Sequence, residues 1–282
     1  MLRPLILMTI AAGLLLTACG NAAQQDGSSA DKADSTGMGQ FASDESFKAA
    51  HETPAELAFA GKGDMIQFPT PDGKQGSAYA LMPEGETDKY LLVIHEWWGL
   101  NDHIKAEAER LFGALDNVAV LALDLYDGQS TANPDEAGKI MQSIKEERAR
   151  AIIQGALNKI GKDAHIGTVG WCFGGGWSLN ASIMAGERGS ACVMYYGMPV
   201  KTAKDIAPLK APILAIFAEQ DKWITPAVAQ DFENLAKASG KSIQTESFDA
   251  GHAFANPSNP NFNNEAAQRA NQDALAFLRE NL

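Results

Sequence analysis

Cys172 lies in Gly170-Trp171-Cys172-Phe173-Gly174-Gly175. Residues 164–169 before it read as a short strand, and residues 175–184 after it read as a helix. A thiol at a tight strand-to-helix turn between glycines forms a nucleophile elbow, with Cys in the place usually held by Ser. The flanking glycines let the chain turn sharply and let the helix pack close to the strand. The thiol is expected to point out at the top of a sheet as an exposed thiolate, favoured by the helix N-terminus.

Two further residues follow in useful order. Asp221 ends the apolar run that begins at Ile213, and His252 stands in Gly251-His252-Ala253-Phe254 after another strand-like run. A thiol, then an acid, then an imidazole supplies a nucleophile, an orienting carboxylate and a proton carrier, which is the chemistry of acyl transfer. Glu219 and Asp249 are neighbouring acids that compete with Asp221 for the carboxylate role. His51, His95, His103 and His165 lack a comparable context. Cys172 occupies the place of the second glycine of a dinucleotide fingerprint, where a side chain would block a pyrophosphate. His95-Glu96 is not a zinc-protease motif, because position 99 is Gly rather than His.

Such groups need a scaffold. Met65 to Phe68 and Ser77 to Met82 read as an antiparallel pair around Pro71-Asp72-Gly73, a turn sequence. Tyr90 to His95 and Val118 to Leu123 are continuous apolar runs, as in central strands buried on both faces. Further strands are expected near 165–170, 191–196, 212–218 and 242–248. Helices are expected near 101–115, 134–160, 175–186, 225–239 and 264–281. This alternation predicts an α/β fold with a mostly parallel central sheet and helices on both faces. Glu96, Cys172, Asp221 and His252 then fall at C-terminal strand ends, where such folds place their sites. All five tryptophans lie within five residues of one of these four. They suit either an aromatic substrate pocket or core filling beneath it. Cys172 and Cys192 fall at opposite ends of adjacent strands, so no disulfide between them is expected.

The chain has 282 residues, 45% hydrophobic and 21% charged, with a net charge of −12. That is ordinary for a globular domain, and the absence of basic clusters argues against a nucleic-acid partner. Residues 1–19 read as a leader: Arg3 precedes the apolar run Leu5 to Ala18, which is short for a membrane span. Leu16-Thr17-Ala18-Cys19 resembles a bacterial lipobox. It implies cleavage before Cys19, lipidation of that residue and membrane attachment in the cell envelope. Gly20 after it favours the outer membrane if the cell is Gram-negative. Residues 20–60, rich in Ser, Asp, Ala and Gly, read as a flexible tether with partial helix from Glu45, ahead of a single domain at 61–282.

From about Asp64 onward the chain resembles the dienelactone hydrolase family of α/β-hydrolases. The resemblance rests on His95-Glu96-Trp97-Trp98-Gly99-Leu100, Asp124-Leu125-Tyr126, Gly170 to Gly175, Tyr195-Tyr196-Gly197, the Asp221 strand end and Gly251 to Phe254, all in order. It implies an α/β-hydrolase fold and hydrolysis of a small ester or lactone through an acyl-enzyme on Cys172, with His252 and Asp221 completing a triad. It also implies an oxyanion hole from the backbone N–H groups of Trp97 and Phe173. Trp98, Tyr126 and Tyr196 are candidates for substrate contact, with packing as the alternative role for each. In the family a glutamate at the Glu96 position helps control the thiol and moves when substrate binds. No metal or organic cofactor is implied, and a monomer is expected. One departure concerns position 256, where the family holds the substrate carboxylate with Arg and this chain has Asn256. Lys139, Arg148 and Arg150 are loose candidates for a second substrate-binding cation. The departure questions an anionic lactone as substrate. It leaves a non-hydrolytic ligand-binding or thiol redox-sensing protein as the alternative.

Overall fold

The computed structural model describes residues 37–282. The leader, Cys19 and the first part of the tether lie outside the described residues. The described residues form eight strands: β1 Asp64–Pro69, β2 Gln75–Leu81, β3 Lys89–Ile94, β4 Ala119–Asp124, β5 His165–Trp171, β6 Gly189–Tyr195, β7 Ile213–Ala218 and β8 Ile243–Phe248. They make one sheet in the order β1-β2-β4-β3-β5-β6-β7-β8. β1 and β2 are antiparallel to each other, β2 is antiparallel to β4, and the strands from β4 to β8 run parallel. β4 and the inner residues of β3 are buried throughout, as their continuous apolar sequences require.

Eight helices accompany the sheet among the described residues: α1 Glu45–Ala49, α2 Asp102–Ala114, α3 Pro134–Ser143, α4 Glu146–Ile160, α5 Phe173–Ala185, α6 Ala203–Ile206, α7 Pro226–Ala238 and α8 Asn264–Asn281. Caps set several boundaries: Asn101 accepts from Ile104 N–H, Asn133 from Asp135 and Glu136 N–H, and Thr225 from Val228 N–H. α5 is buried on nearly all sides, so its sequence shows no polar face.

The structure differs from the sequence expectation in two places. The single helix expected over 134–160 is two, because Ile144 and Lys145 are extended. Ile144 is thereby turned into the core. The second difference is larger. Residues 38–51, expected as part of a flexible tether, fold against the domain. A 3₁₀ turn at Met38–Phe41 leads to α1, which Asp44 caps by accepting from Ser46 and Phe47 N–H. Met38 and Phe47 have no exposed surface. Lys48 pairs with Asp135 at 2.8 Å, Trp223 Nε1–H donates to Asp44 at 3.2 Å, and Asn259 donates to the Ala50 carbonyl at 2.9 Å. Burying two large apolar side chains offsets the entropy of ordering a short segment that is otherwise polar.

Candidate active site

Cys172 caps α5 with φ 53° and ψ −116°, a conformation that side-chain-bearing residues rarely adopt. A Cβ on Gly170 would strike the Gly174 carbonyl, and one on Gly174 would strike the carbonyls of Ile94 and His95. These two glycines let α5 start directly against the ends of β5 and β3, which brings the loop after β3 beside the thiol.

Asp221 follows β7 and His252 follows β8. His252 Nδ1–H donates to Asp221 Oδ2 at 2.6 Å, and His252 Nε2 lies 3.3 Å from Cys172 Sγ. Asp221 Oδ1 accepts from the N–H groups of Trp223 and Ile224, both at 2.9 Å, so the carboxylate is fixed on its other side as well. Glu219 and Asp249 are not in this chain of contacts. Asp221, His252 and Cys172 are all buried.

The thiol is 1% exposed, which corrects the expectation of an exposed thiolate. Burial pushes its pKa up, against the lowering effects of His252 and the Phe173 N–H. Burial alone would push His252 down, but the Asp221 carboxylate and the neighbouring sulfur raise it to about 10. Sulfur and imidazole are both buried and close enough to pass a proton between them.

Glu96 lies two residues past β3 and is buried. Asn256 Nδ2–H donates to its Oε2 at 2.6 Å, and Oε1 has no partner among the described residues. Burial raises its pKa to about 7, moderated by His252 and Asn256. The residue that takes the family Arg position therefore restrains Glu96.

A cavity of about 400 Å³ opens beside these groups. Its lining includes Glu96, Trp98, Trp171, Tyr196 and Asn256, together with Ile104 and Arg110 of α2. Trp98 and Tyr196, expected as substrate contacts, both line this cavity. Tyr196 is fully buried with its ring 5.2 Å from His252, and its hydroxyl proton has no acceptor among the described residues. Tyr126 is not at the cavity; it packs under the site against His95 and Phe173. Arg148 is bound by Asp127 and Asp72, Arg150 by Glu146 and Asn180, and Lys139 is exposed on α3; none of the three lines the cavity. His95 is structural: its Nδ1–H donates to the Glu96 carbonyl and its Nε2 accepts from Leu125 N–H.

The residue that sequence reasoning missed is His51. It is 3% exposed, with its ring 4.7 Å from Trp97 and 5.5 Å from His252. Phe47 stands beside it and contacts Trp97, Trp223 and His252 edge-on or tilted. The segment read as a tether thus supplies a wall of the site. The available signal was Asp44 as a helix cap between Phe41 and Phe47, an aromatic pair in an otherwise polar run. The five tryptophans divide their work: Trp98 and Trp171 line the cavity, Trp97 and Trp223 flank the His51–Phe47 cluster, and Trp177 is core.

A mostly parallel sheet with an elbow cysteine after β5, an acid after β7 and an imidazole after β8 defines an α/β-hydrolase. Residues 77–282 match the model of the dienelactone hydrolase family, and the chain belongs to that family of ester and lactone hydrolases. Protein usf of Aquifex pyrophilus is 28% identical over 233 residues, spanning 78% of this chain and 99% of that one. A carboxymethylenebutenolidase of Pseudomonas sp. strain P51 is 31% identical over 131 residues, 46% of this chain and 54% of its own. Among solved structures, dienelactone hydrolase from Anabaena variabilis superposes with a TM-score of 0.59 at 19% identity. That superposition covers 78% of this chain and 98% of the other.

Proposed function

We propose that the protein hydrolyses neutral, largely apolar esters or lactones through a thioester on Cys172. The observation that carries this reading is the continuous buried contact from Asp221 through His252 to Cys172, at 2.6 and 3.3 Å. Cys172 sulfur attacks the acyl carbon, and its proton passes to His252 Nε2. The tetrahedral oxyanion is held by the N–H groups of Phe173 and Trp97. His252 then protonates the leaving alcohol, and the carbon–oxygen bond breaks to give the thioester. Water attacks the thioester with His252 as base, and the sulfur leaves and recovers its proton. Asp221 holds the productive tautomer throughout.

Substrate charge is argued from the cavity lining. Arg110 is already bound through Nε and Nη2 to Glu107, at 2.8 and 2.6 Å. Glu96 and Asn256 line the cavity hydrogen-bonded to each other, and Asn256 carries no charge. A neutral acyl group against Trp98 and Trp171 fits this lining better than an anionic one.

The direct test is intact-protein mass spectrometry with a panel of activated esters and lactones, wild type beside His252→Ala. A transient acyl adduct on Cys172 in the wild type is expected, together with loss of turnover in the variant. A folded, reduced protein that never acylates would overturn the assignment.

The attachment to the envelope through a lipid on Cys19 is part of the same proposal. It rests on the lipobox-like sequence alone. Among the described residues no helix is long and apolar enough to cross a membrane. Cys19→Ala should move the protein from the membrane fraction to the soluble fraction, and a variant that still pellets with membranes defeats the idea.

A further inference from the structure

His51 has no part in the hydrolytic scheme, yet it is held in an unusual way. Its Nδ1–H donates to the Phe47 carbonyl at 2.6 Å, which leaves the Nε2 lone pair free. Nε2 is buried and has no hydrogen-bond partner among the described residues. One donor atom from each of His51, Cys172 and His252 lies within 4.8 Å of the other two. A buried acceptor without a partner, on a ring grouped with a thiol and a second imidazole, calls for a ligand.

Metal-binding histidines commonly donate their second ring N–H to a carboxylate or a carbonyl, which fixes the tautomer and aims the other nitrogen. Both histidines meet that condition: His252 Nδ1–H is on Asp221 and His51 Nδ1–H is on Phe47. A thiolate with two imidazoles is a donor set for a borderline-soft cation such as Zn²⁺. Tetrahedral Zn²⁺ with ordinary bond lengths places its nitrogen and sulfur ligands about 3.4–3.6 Å apart. His252 Nε2 and Cys172 Sγ, at 3.3 Å, are already near that spacing. His51 sits just after the short helix α1 and needs to close by only about 1 Å.

We propose that His51, Cys172 and His252 form a three-ligand site for a Zn²⁺-class cation, and that its occupation switches hydrolysis off. Binding replaces the proton shared by sulfur and His252 with the metal. One metal–sulfur and two metal–nitrogen bonds form, the proton leaves to solvent, and no electrons are transferred. The inhibitory consequence rests on the hydrolase reading, because the metal takes the sulfur lone pair and the imidazole nitrogen that acyl transfer uses. The binding itself rests on geometry alone.

The test uses purified, reduced, metal-stripped protein titrated with Co²⁺ as a spectroscopic stand-in. One equivalent should give a thiolate-to-cobalt absorption band that Zn²⁺ displaces and that Cys172→Ser lacks. Affinity for Zn²⁺, read by competition with a chromophoric chelator, should fall about tenfold or more in His51→Gln. A readout free of variants is the ring ¹⁵N resonance of His51 Nε2 in the wild type, which should move on adding Zn²⁺. Absence of the cobalt band, unchanged affinity in a folded His51→Gln, or an unmoved Nε2 resonance each overturns the site. In a separate assay, Zn²⁺ should stop ester hydrolysis and a chelator should restore it. Protein that binds Co²⁺ as described but cleaves no ester keeps the metal site and removes the hydrolase reading.

Discussion

Asn256 donates its side-chain amide to Glu96 at 2.6 Å, tying the loop after β8 to the loop after β3 at the lining of the cavity. The contact sets a neutral donor against a buried carboxyl whose pKa is about 7. Its consequences reach both stability and substrate choice.

The first prediction concerns stability against pH. Glu96 binds its proton more tightly in the folded protein than in the unfolded chain, where its value is 4.5. Its contribution is therefore most favourable below pH 4.5 and is lost as pH rises toward 7. The shift corresponds to about 3 kcal/mol. Glu96→Gln abolishes this dependence. Denaturant unfolding at pH 4.5 and pH 8 should show the variant gaining on the wild type by up to that amount. An equal difference at both values would mean that Glu96 is not buried in its charged form.

Substrate charge gives the second prediction. A matched pair of esters, one neutral and one bearing a carboxylate on the acyl part, should differ in kcat/KM by about tenfold or more in favour of the neutral one. The physical cause is a carboxylate brought beside Glu96 with no uncommitted cation among the cavity residues. Preference for the anionic ester would contradict the reading of the pocket.

Asp221→Asn isolates the role of the carboxylate. The amide oxygen of Asn can still accept from Trp223 and Ile224 N–H, so the turn should survive. What is lost is the charge that holds His252 in its productive tautomer. A fall of about 10³–10⁴ in kcat, with an unchanged circular dichroism spectrum, is expected. A fall of only a few-fold would place the orienting acid elsewhere.

The fourth prediction tests the N-terminal wall. A buried Phe→Ala change costs about 3–5 kcal/mol in a core that cannot rearrange. Residues 38–51 can instead detach, so Phe47→Ala should expose the segment before it unfolds the sheet. Limited proteolysis should cut within residues 38–51 much faster in the variant, while the domain from β1 onward stays resistant. Equal cutting rates would show that Phe47 does not hold the segment in place.

Much of this was legible in the sequence because strand ends and turn chemistry are local properties. The apolar runs of β3 and β4, the glycines around Cys172 and the order of Cys172, Asp221 and His252 identify a parallel sheet and its reactive edge without knowledge of any long-range contact. Hydrophobic periodicity failed at Ile144 and Lys145, where a two-residue break leaves the apolar spacing of the flanking helices intact. Tyr126 stayed open between substrate contact and packing, because a residue just past a strand end can face the cavity or the floor beneath it; it packs against His95 and Phe173.

The tertiary structure alone decided the environment of the thiol. Whether Cys172 is an exposed thiolate or a buried partner of His252 depends on what covers it, and the cover comes from residues more than a hundred positions away. Phe47 and His51 reach the site because a short capped helix buries apolar surface on Trp97 and Trp223. Composition averages over that segment and reports only its polar majority. The sequence determined which groups can react and at which edge of the sheet they stand. Packing decided their exposure, their proton affinities and the second imidazole beside them, because those depend on distances that close only when the chain is folded.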